Sequence, residues 1–157
     1  MCDWLKRRLG RLDSRHEVKI SIPCLPEYVA IIRLAVSGLA SRLNFSVQEI
    51  EDIKIAVSEI CTNAVQYAYD PTDIRTIEMN CMVQDDGLEL VVKDFGRGFD
   101  TAILSSGERK SSNEFGMGLG LTFVRNLMDH TEIQSALGVG TTVRLVKKRP
   151  RELQAQH

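Results

Sequence analysis

Hydrophobic and polar positions follow two periods along this chain, and the change of period divides it into predicted strands and helices. In residues 17–23 apolar and polar side chains alternate, which predicts a strand with one buried face. Apolar residues then recur every three or four positions from 27 to about 43 and again from 47 to 69, which predicts two amphipathic helices. Ser46 and Glu49, three residues apart, predict a capping box at the start of the second helix.

The second half of the chain predicts two hairpins on either side of one more helix. The segments IRTIEMNCMVQ and LELVVKDF are typical of strands, and the turn signal DDG joins them. A polar, serine-rich stretch over 100–115 has no periodicity and is predicted to be a mobile loop or lid. A helix over about 119–129 follows, and TEIQSALGVGTTVRLVKK predicts the closing hairpin.

This order of elements predicts an α+β fold, a two-layer α/β sandwich. We expect a mixed, mostly antiparallel sheet with the helices gathered on one face. The folded domain is expected over residues 16–148, between a flexible basic arm at 1–15 and a short tail at 149–157. For the arm, a helix lying on a membrane surface is the alternative to a loose segment, because basic and apolar residues are mixed in it.

Composition and charge exclude several classes of protein. The 157 residues, 43% of them hydrophobic and 26% charged, suit one globular domain with its own core. A formal net charge of −1 lacks the positive excess that is typical of proteins that bind nucleic acid directly. No apolar run is long enough for stable membrane insertion. The N-terminus lacks the apolar segment of a signal peptide. Four cysteines without C-x-x-C spacing predict reduced thiols in a cytoplasmic protein.

The second predicted helix carries a polar stripe beside its apolar one. Glu59, Asn63 and Tyr67 are spaced four residues apart, so they share one face of the helix. The Asn63 carboxamide can offer a neutral oxygen to Mg²⁺, and Glu59 can accept a proton from a nucleophile next to that metal. Most Glu and Asn residues on helices are simply solvated, so this stripe alone does not establish a site.

The segment DFGRGFD predicts a second part of a ligand site. Asp94 follows a predicted buried strand, where a carboxylate requires a hydrogen-bond donor, and the exocyclic amine of adenine is one such donor. Gly96 and Gly98 would let the backbone approach a flat ring closely. An ordinary turn is the alternative, because D-x-G-x-G is by itself a weak signal.

The stretch GMGLGL predicts a third part. Gly116, Gly118 and Gly120 leave backbone N–H groups uncovered directly before a helix expected to start near Leu119. Uncovered N–H groups and the positive end of a helix together form a cradle for phosphates. The run lacks the GK[ST] of a Walker loop, and Leu121 stands where the Rossmann fingerprint requires glycine.

In this order and spacing the motifs resemble the GHKL (Bergerat) ATPase superfamily over about residues 17–148. The resemblance implies ATP and Mg²⁺ as ligands, with Glu59 and Asn63 in the N box and Asn63 as the metal ligand. It also implies that Thr141 helps Asp94 to hold adenine. Tyr67 departs from the pattern, which more often has histidine or lysine there. The glycine boxes add these implied ATP-binding residues: Gly96, Gly98, Gly116, Gly118, Leu119 and Gly120.

The first two predicted helices and GMGLGLTFVRNLMD are similar to the RsbW-type anti-sigma factors, which are serine/threonine-protein kinases of bacterial partner switches. The resemblance implies two competing partners: a sigma factor that is sequestered, and a STAS-domain anti-anti-sigma protein that is phosphorylated on serine. It also implies a homodimer. Glu59 would take the proton of the serine hydroxyl, and Arg109 or Lys110 in the lid would stabilise the γ-phosphate.

Two other functions use the same motifs. One is a non-catalytic, ATP-gated protein-binding module, and the other is a kinase of a signalling switch without a sigma factor. A labelled serine on a STAS partner distinguishes the kinase from the module, and partner capture with and without ADP distinguishes the two switches.

Overall fold

Five β-strands form one sheet in the spatial order β1-β2-β3-β5-β4. The computed structural model describes residues 16–106 and 112–149. The strands are β1 (His16–Pro23), β2 (Thr76–Gln84), β3 (Gly87–Asp94), β4 (His130–Ala136) and β5 (Gly140–Lys148). All four pairings are antiparallel, so the parallel pairing that a mixed sheet includes is not found in the described residues. Both predicted hairpins, β2–β3 and β4–β5, are formed.

The α-helices are α1 (Pro26–Ala40), α2 (Val47–Asn63), α3 (Ile103–Ser106) and α4 (Ser112–Leu127). The predicted capping box begins α2: Ser46 Oγ accepts from the Glu49 N–H at 3.2 Å, and Glu49 Oε2 accepts from the Ser46 N–H at 2.7 Å. A π-helical turn, Ala64–Ala68, continues α2 without a break. Helical structure therefore ends within one residue of the predicted end at Tyr69.

The helices lie on one face of the sheet, and the core fills the space between the two layers. Alternate residues of β3 point into this space, so Leu88, Leu90 and Val92 are buried while Lys93 is exposed. The apolar stripe of α2 closes the core from the other side with Ile53, Ala56, Val57 and Ile60. The predicted α+β two-layer sandwich is confirmed.

Two contacts show that α2 and α4 run antiparallel. At one end, Lys147 Nζ donates to the Leu127 carbonyl oxygen at 2.7 Å and lies 3.7 Å from Asp52 Oδ2. At the other end, Gly120 lies so close to α2 that an added Cβ would be 3.0 Å from Glu59 Oε2. This arrangement places the glycine run of α4 against the polar stripe of α2.

The start of α4 differs from the prediction. The helix begins at Ser112 rather than near Leu119, and the glycine run lies inside it. Leu121 and Val124 of its inner face are buried, and burial of such side chains contributes about 1.5–3 kcal/mol each. A glycine within a helix costs about 1 kcal/mol relative to alanine. Packing therefore outweighs the low helix propensity of the run. The predicted lid also includes a helical turn, α3.

Some expectations concern residues outside the described part of the chain. These are the basic arm at 1–15, the lid cations Arg109 and Lys110, and the tail from 150 onward. Within residues 16–106 and 112–149, no helix has the length and apolar character needed to cross a bilayer.

Candidate functional site

A cleft of about 670 Å³ lies beside the C-terminal end of α2 and is lined by β3 and β5. Clefts of this volume are typical of small-molecule sites. Its apolar wall includes side chains from the helices, the sheet and the connection before α1: Cys24, Ile60, Ala64, Val92, Leu121 and Val143. A wall of this kind suits a flat aromatic base.

Asp94 supplies the charged group of the cleft. It is only 8% exposed, and among the described residues it is the one buried polar or charged residue. Its Oδ1 accepts from the Gly96 N–H at 3.0 Å and from the Thr141 N–H at 3.2 Å. Burial raises the pKa of Asp94, and these two hydrogen bonds oppose that shift. Because both bonds go to Oδ1, the carboxylate can receive a ligand donor at its other oxygen.

The glycines next to Asp94 are required by the protein's own backbone. A Cβ on Gly96 would collide with the carbonyl oxygen of Ala68, and Gly98 has a φ of +59° and lies against the carbonyl oxygen of Ala136. The sequence predicts that these glycines let the backbone approach a flat ring of the ligand closely. Of the two, Gly98 lines the cleft, and both glycines let the segment after Asp94 pass between the end of α2 and the β4–β5 hairpin.

The polar stripe of α2 reaches the cleft at one end. Asn63 and Tyr67 line the cleft, and Glu59, one turn earlier, lies beside Gly120 and outside the lining. Asn63 Nδ2 is buried and has no hydrogen-bond partner within the described residues. A buried amide without a partner is costly, so a rearrangement that gives the Asn63 amide a partner would stabilise this part of the site.

The residues present fit a Mg²⁺ site of few protein ligands. Asn63 lines the cleft, and its carboxamide oxygen is a neutral oxygen donor of the kind that Mg²⁺ accepts. The described residues contain no cluster of three or more His, Cys, Asp or Glu that could hold a metal by itself. A single amide oxygen combined with water and phosphate oxygens is a donor set that Mg²⁺ accepts.

The glycine run does not form the open cradle expected from the sequence. Gly116, Gly118 and Gly120 all lie within α4, and the Thr122 hydroxyl donates to the Gly118 carbonyl oxygen at 2.9 Å. Leu119 is 57% exposed and does not mark a helix start. The structure brings Asn63, Asp94, Gly98 and Thr141 together at the cleft, with Glu59, Gly96 and Gly120 directly behind its walls.

Sequence reasoning missed Tyr69, which lines the cleft. Its hydroxyl accepts from the Phe95 N–H at 2.8 Å and donates to the Thr76 carbonyl oxygen at 2.9 Å. Its position at the predicted end of the long helix gave no sign of this role. The apolar wall of the cleft was also missed, since its residues look like ordinary core in the sequence.

A family model described as histidine kinase-like ATPase domain matches residues 22–147. The chain is similar to the serine-protein kinase RsbW of Bacillus pumilus, at 42% identity over 143 residues that cover 86% of this chain and 87% of that protein. It is also 41% identical to the serine-protein kinase RsbW of Bacillus subtilis, over 83% of this chain and 84% of that protein.

Solved structures support the same fold. The RsbU and RsbW domains of Rv1364c from Mycobacterium tuberculosis match with a TM-score of 0.63 at 20% identity, covering 86% of this chain and 33% of that one. The SiaB–SiaC complex from Pseudomonas aeruginosa matches with a TM-score of 0.59 at 15% identity, covering 92% of this chain and 96% of the matched chain. At these identities the likeness concerns the fold alone.

Proposed function

This chain belongs to the histidine kinase-like ATPase family and, within it, to the RsbW serine-protein kinases, and on that premise we propose that it is an anti-sigma factor with serine kinase activity. It binds Mg·ATP, sequesters a sigma factor, and phosphorylates a serine of a STAS-type antagonist. The observation that carries the proposal is that Asp94 and Asn63 line one cleft while Glu59 lies one helical turn from Asn63.

In this proposal the adenine lies against the apolar wall and donates its exocyclic amine to Asp94. Thr141 supports that carboxylate through its backbone N–H. Asn63 holds Mg²⁺ together with phosphate oxygens, and the bound ion would neutralise part of the charge of the triphosphate. The binding free energy would therefore come from two places. Asp94 accepts a hydrogen bond from the adenine, and Asn63 interacts with the ion at the phosphates.

Glu59 acts as the general base of the proposed transfer. Its carboxylate accepts the proton of the partner's serine hydroxyl as the serine oxygen attacks the γ-phosphorus. The bond between the γ-phosphorus and the β–γ bridging oxygen breaks, so ADP leaves and phosphoserine is formed. The glycine run of α4 and a lid cation, Arg109 or Lys110, stabilise the charge on the transferred group.

The proposed partners are a sigma factor and a STAS-domain antagonist, in competition for one homodimeric kinase. RsbW relatives at about 40% identity over most of the chain support a role in such a switch. A cytoplasmic location follows from this proposal, because both partners act on transcription.

Phosphotransfer with a Glu59→Gln variant tests the proposal. Purified protein is incubated with radiolabelled ATP and, one at a time, with the STAS-domain proteins encoded in the same genome. We expect wild-type protein to label a serine on one of them, and Glu59→Gln to be about 10²–10⁴-fold slower because the base is lost. ATP affinity, measured by calorimetry, should stay within about threefold because Glu59 lies outside the cleft lining.

The matched control is Glu78→Gln, which changes an exposed glutamate of β2 on the sheet face that the helices leave uncovered. It should transfer phosphate at the wild-type rate. Transfer by Glu59→Gln at that rate would show that another group is the base. If the wild-type protein binds ATP and labels no partner, the chain is a non-catalytic, ATP-gated module instead.

A further inference from the structure

The Tyr69 hydroxyl occupies a place in the sheet where a strand-to-strand hydrogen bond would otherwise form. β2 and β3 pair in register from Gln84 opposite Gly87 to Ile77 opposite Asp94. The next step of this register would bring Thr76 opposite Phe95. There the Tyr69 hydroxyl lies between the two backbones, at 2.9 Å from the Thr76 carbonyl oxygen and 2.8 Å from the Phe95 nitrogen.

This insertion ends the pairing of β2 and β3 immediately after Asp94. The chain leaves the sheet at Phe95, and the Arg97 N–H then donates to the Ala68 carbonyl oxygen at 2.8 Å. Two consecutive residues at the end of the α2 helical segment, Ala68 and Tyr69, thus hold the segment from Phe95 to Arg97. In that conformation the Gly96 N–H reaches the carboxylate of Asp94.

The chemistry of a tyrosine hydroxyl suits this position. It is a donor and an acceptor at once, so it can satisfy one N–H and one carbonyl oxygen. Burial raises the pKa of Tyr69 above its ordinary value, so the hydroxyl keeps the proton that it donates. Phenylalanine would fill the same volume and leave both backbone groups without this partner.

We propose that Tyr69 is a positioning residue for nucleotide recognition: its hydroxyl ends the β2–β3 ladder at Asp94 and thereby fixes the direction of the Asp94 carboxylate. The inference rests on the proposed role of Asp94 as the acceptor for the base. Without the hydroxyl, the Phe95 N–H and the Thr76 carbonyl oxygen lose their shared partner and take up water. A water is not tied to the end of the helical segment, so the backbone that carries Asp94 would be held less firmly.

Calorimetry with Mg·ADP on wild type, Tyr69→Phe, Asp94→Asn and the double variant tests this inference. We expect Tyr69→Phe to weaken ADP binding about tenfold, as loss of a well-placed hydrogen bond does, and Asp94→Asn to weaken it further. The double variant should bind no more weakly than Asp94→Asn, because Tyr69 acts through Asp94. The preference for ADP over GDP should fall in Tyr69→Phe, which a merely structural role would not produce.

Tyr28→Phe is the matched control. Tyr28 lies in α1 outside the cleft lining, so its variant should keep wild-type affinity and base preference. Hydrogen exchange of the Phe95 amide in ligand-free protein gives a second measurement that does not depend on nucleotide. It should be at least about tenfold faster in Tyr69→Phe if the hydroxyl protects this group.

The outcomes distinguish a failure of this inference from a failure of the proposed role of Asp94, on which it rests. An ADP affinity within twofold of wild type in Tyr69→Phe, with a normal effect of Asp94→Asn, overturns the inference alone. Fully additive effects in the double variant also overturn it, because Tyr69 would then act independently of Asp94. An unchanged affinity in Asp94→Asn overturns the role of that carboxylate and the inference together.

Discussion

Asp94 is a buried residue whose proposed role would favour ligand binding at the expense of stability. It is 8% exposed, and two backbone N–H groups of the described residues donate to its carboxylate, at 3.0 and 3.2 Å. These two hydrogen bonds compensate only part of the cost of removing the ionised carboxylate from water, so the pKa of Asp94 is raised. In the proposed function, a nucleotide that donates a hydrogen bond to the carboxylate removes part of this cost, and the free energy so recovered favours binding.

Asp94→Asn should therefore change stability and affinity in opposite directions. Asparagine can keep its carbonyl oxygen toward Gly96 and Thr141, because both donors use Oδ1. We expect the ligand-free variant to be more stable at pH 7 by about 1 kcal/mol, the scale of an incompletely compensated buried group. Its amide nitrogen would face the adenine amine, so Mg·ADP affinity should fall at least tenfold. Urea denaturation and calorimetry measure the two effects, and a variant less stable than wild type at pH 7 would contradict the first.

The stability difference should also depend on pH. Because the folded pKa of Asp94 lies above its ordinary value of 3.8, the folded protein keeps this proton at pH values where the unfolded chain has lost it. Wild-type stability therefore falls as pH rises through the window between the two pKa values. Asp94→Asn lacks that slope, so its advantage should shrink as the pH is lowered toward 4. Denaturation of both proteins at several pH values measures this difference, in which all other groups cancel.

At the scale of elements, α4 is where the sequence and the structure differ most. The pattern G-x-G-x-G predicts an open loop, whereas the structure has continuous helix from Ser112 to Leu127. Each glycine lowers the free energy needed to open this helix by about 1 kcal/mol relative to alanine. N–H groups in a helical ladder are occupied, so the run can bind phosphates through them only after leaving the ladder.

Gly118→Ala tests whether this run changes conformation when ATP binds. An added Cβ at Gly118 meets nothing within 4 Å, so we expect the helical, ligand-free protein to gain up to about 1 kcal/mol in unfolding free energy. If the run must leave the helix to hold the triphosphate, the same free energy opposes binding, and the Kd for Mg·ATP should rise about fivefold. Urea denaturation and calorimetry measure both quantities.

Gly38→Ala provides the matched control for this prediction. Gly38 lies in α1 with open space around its Cβ position and outside the cleft lining, so its variant should gain similar stability and keep wild-type ATP affinity. Wild-type affinity in Gly118→Ala would mean that the run stays helical in the complex. Gly120 is unsuitable for this comparison, because a Cβ there would displace the Glu59 carboxylate.

The elements that the sequence predicted well are those encoded by local signals. The Ser46–Glu49 capping box, the hairpin turns and the period of α2 depend on nearby residues, and each appears where expected. The role of Tyr69 depends on Phe95, 26 residues away, and no local pattern encodes such a contact. The glycines of DFGRG were recognised as special for a reason that proved incomplete, because the backbones they approach come from other parts of the chain.

At the scale of the whole molecule, the cleft is assembled from parts that are distant in sequence. Cys24 precedes α1, Asn63 ends α2, Asp94 ends β3, and Thr141 lies near the start of β5. Motif order indicated one ligand for these parts, and the resemblance that it implied is confirmed by the family match and the RsbW relatives. The antiparallel packing of α2 on α4 and the volume of the cleft required the structure, because they depend on the packing of all layers together.

A ligand that joins such distant parts should stabilise the fold as a whole. At about 100 times its Kd, Mg·ADP should add about 2.7 kcal/mol to the unfolding free energy and raise Tm by roughly 5–10 °C for a domain of this size. Scanning calorimetry with increasing ADP measures the shift, and chelation of Mg²⁺ should reduce it if Asn63 holds the ion. Asp94→Asn at the same ADP concentration should show a much smaller shift. A wild-type Tm that ADP leaves unchanged would contradict nucleotide binding in this cleft, since a ligand specific for the folded state must stabilise it.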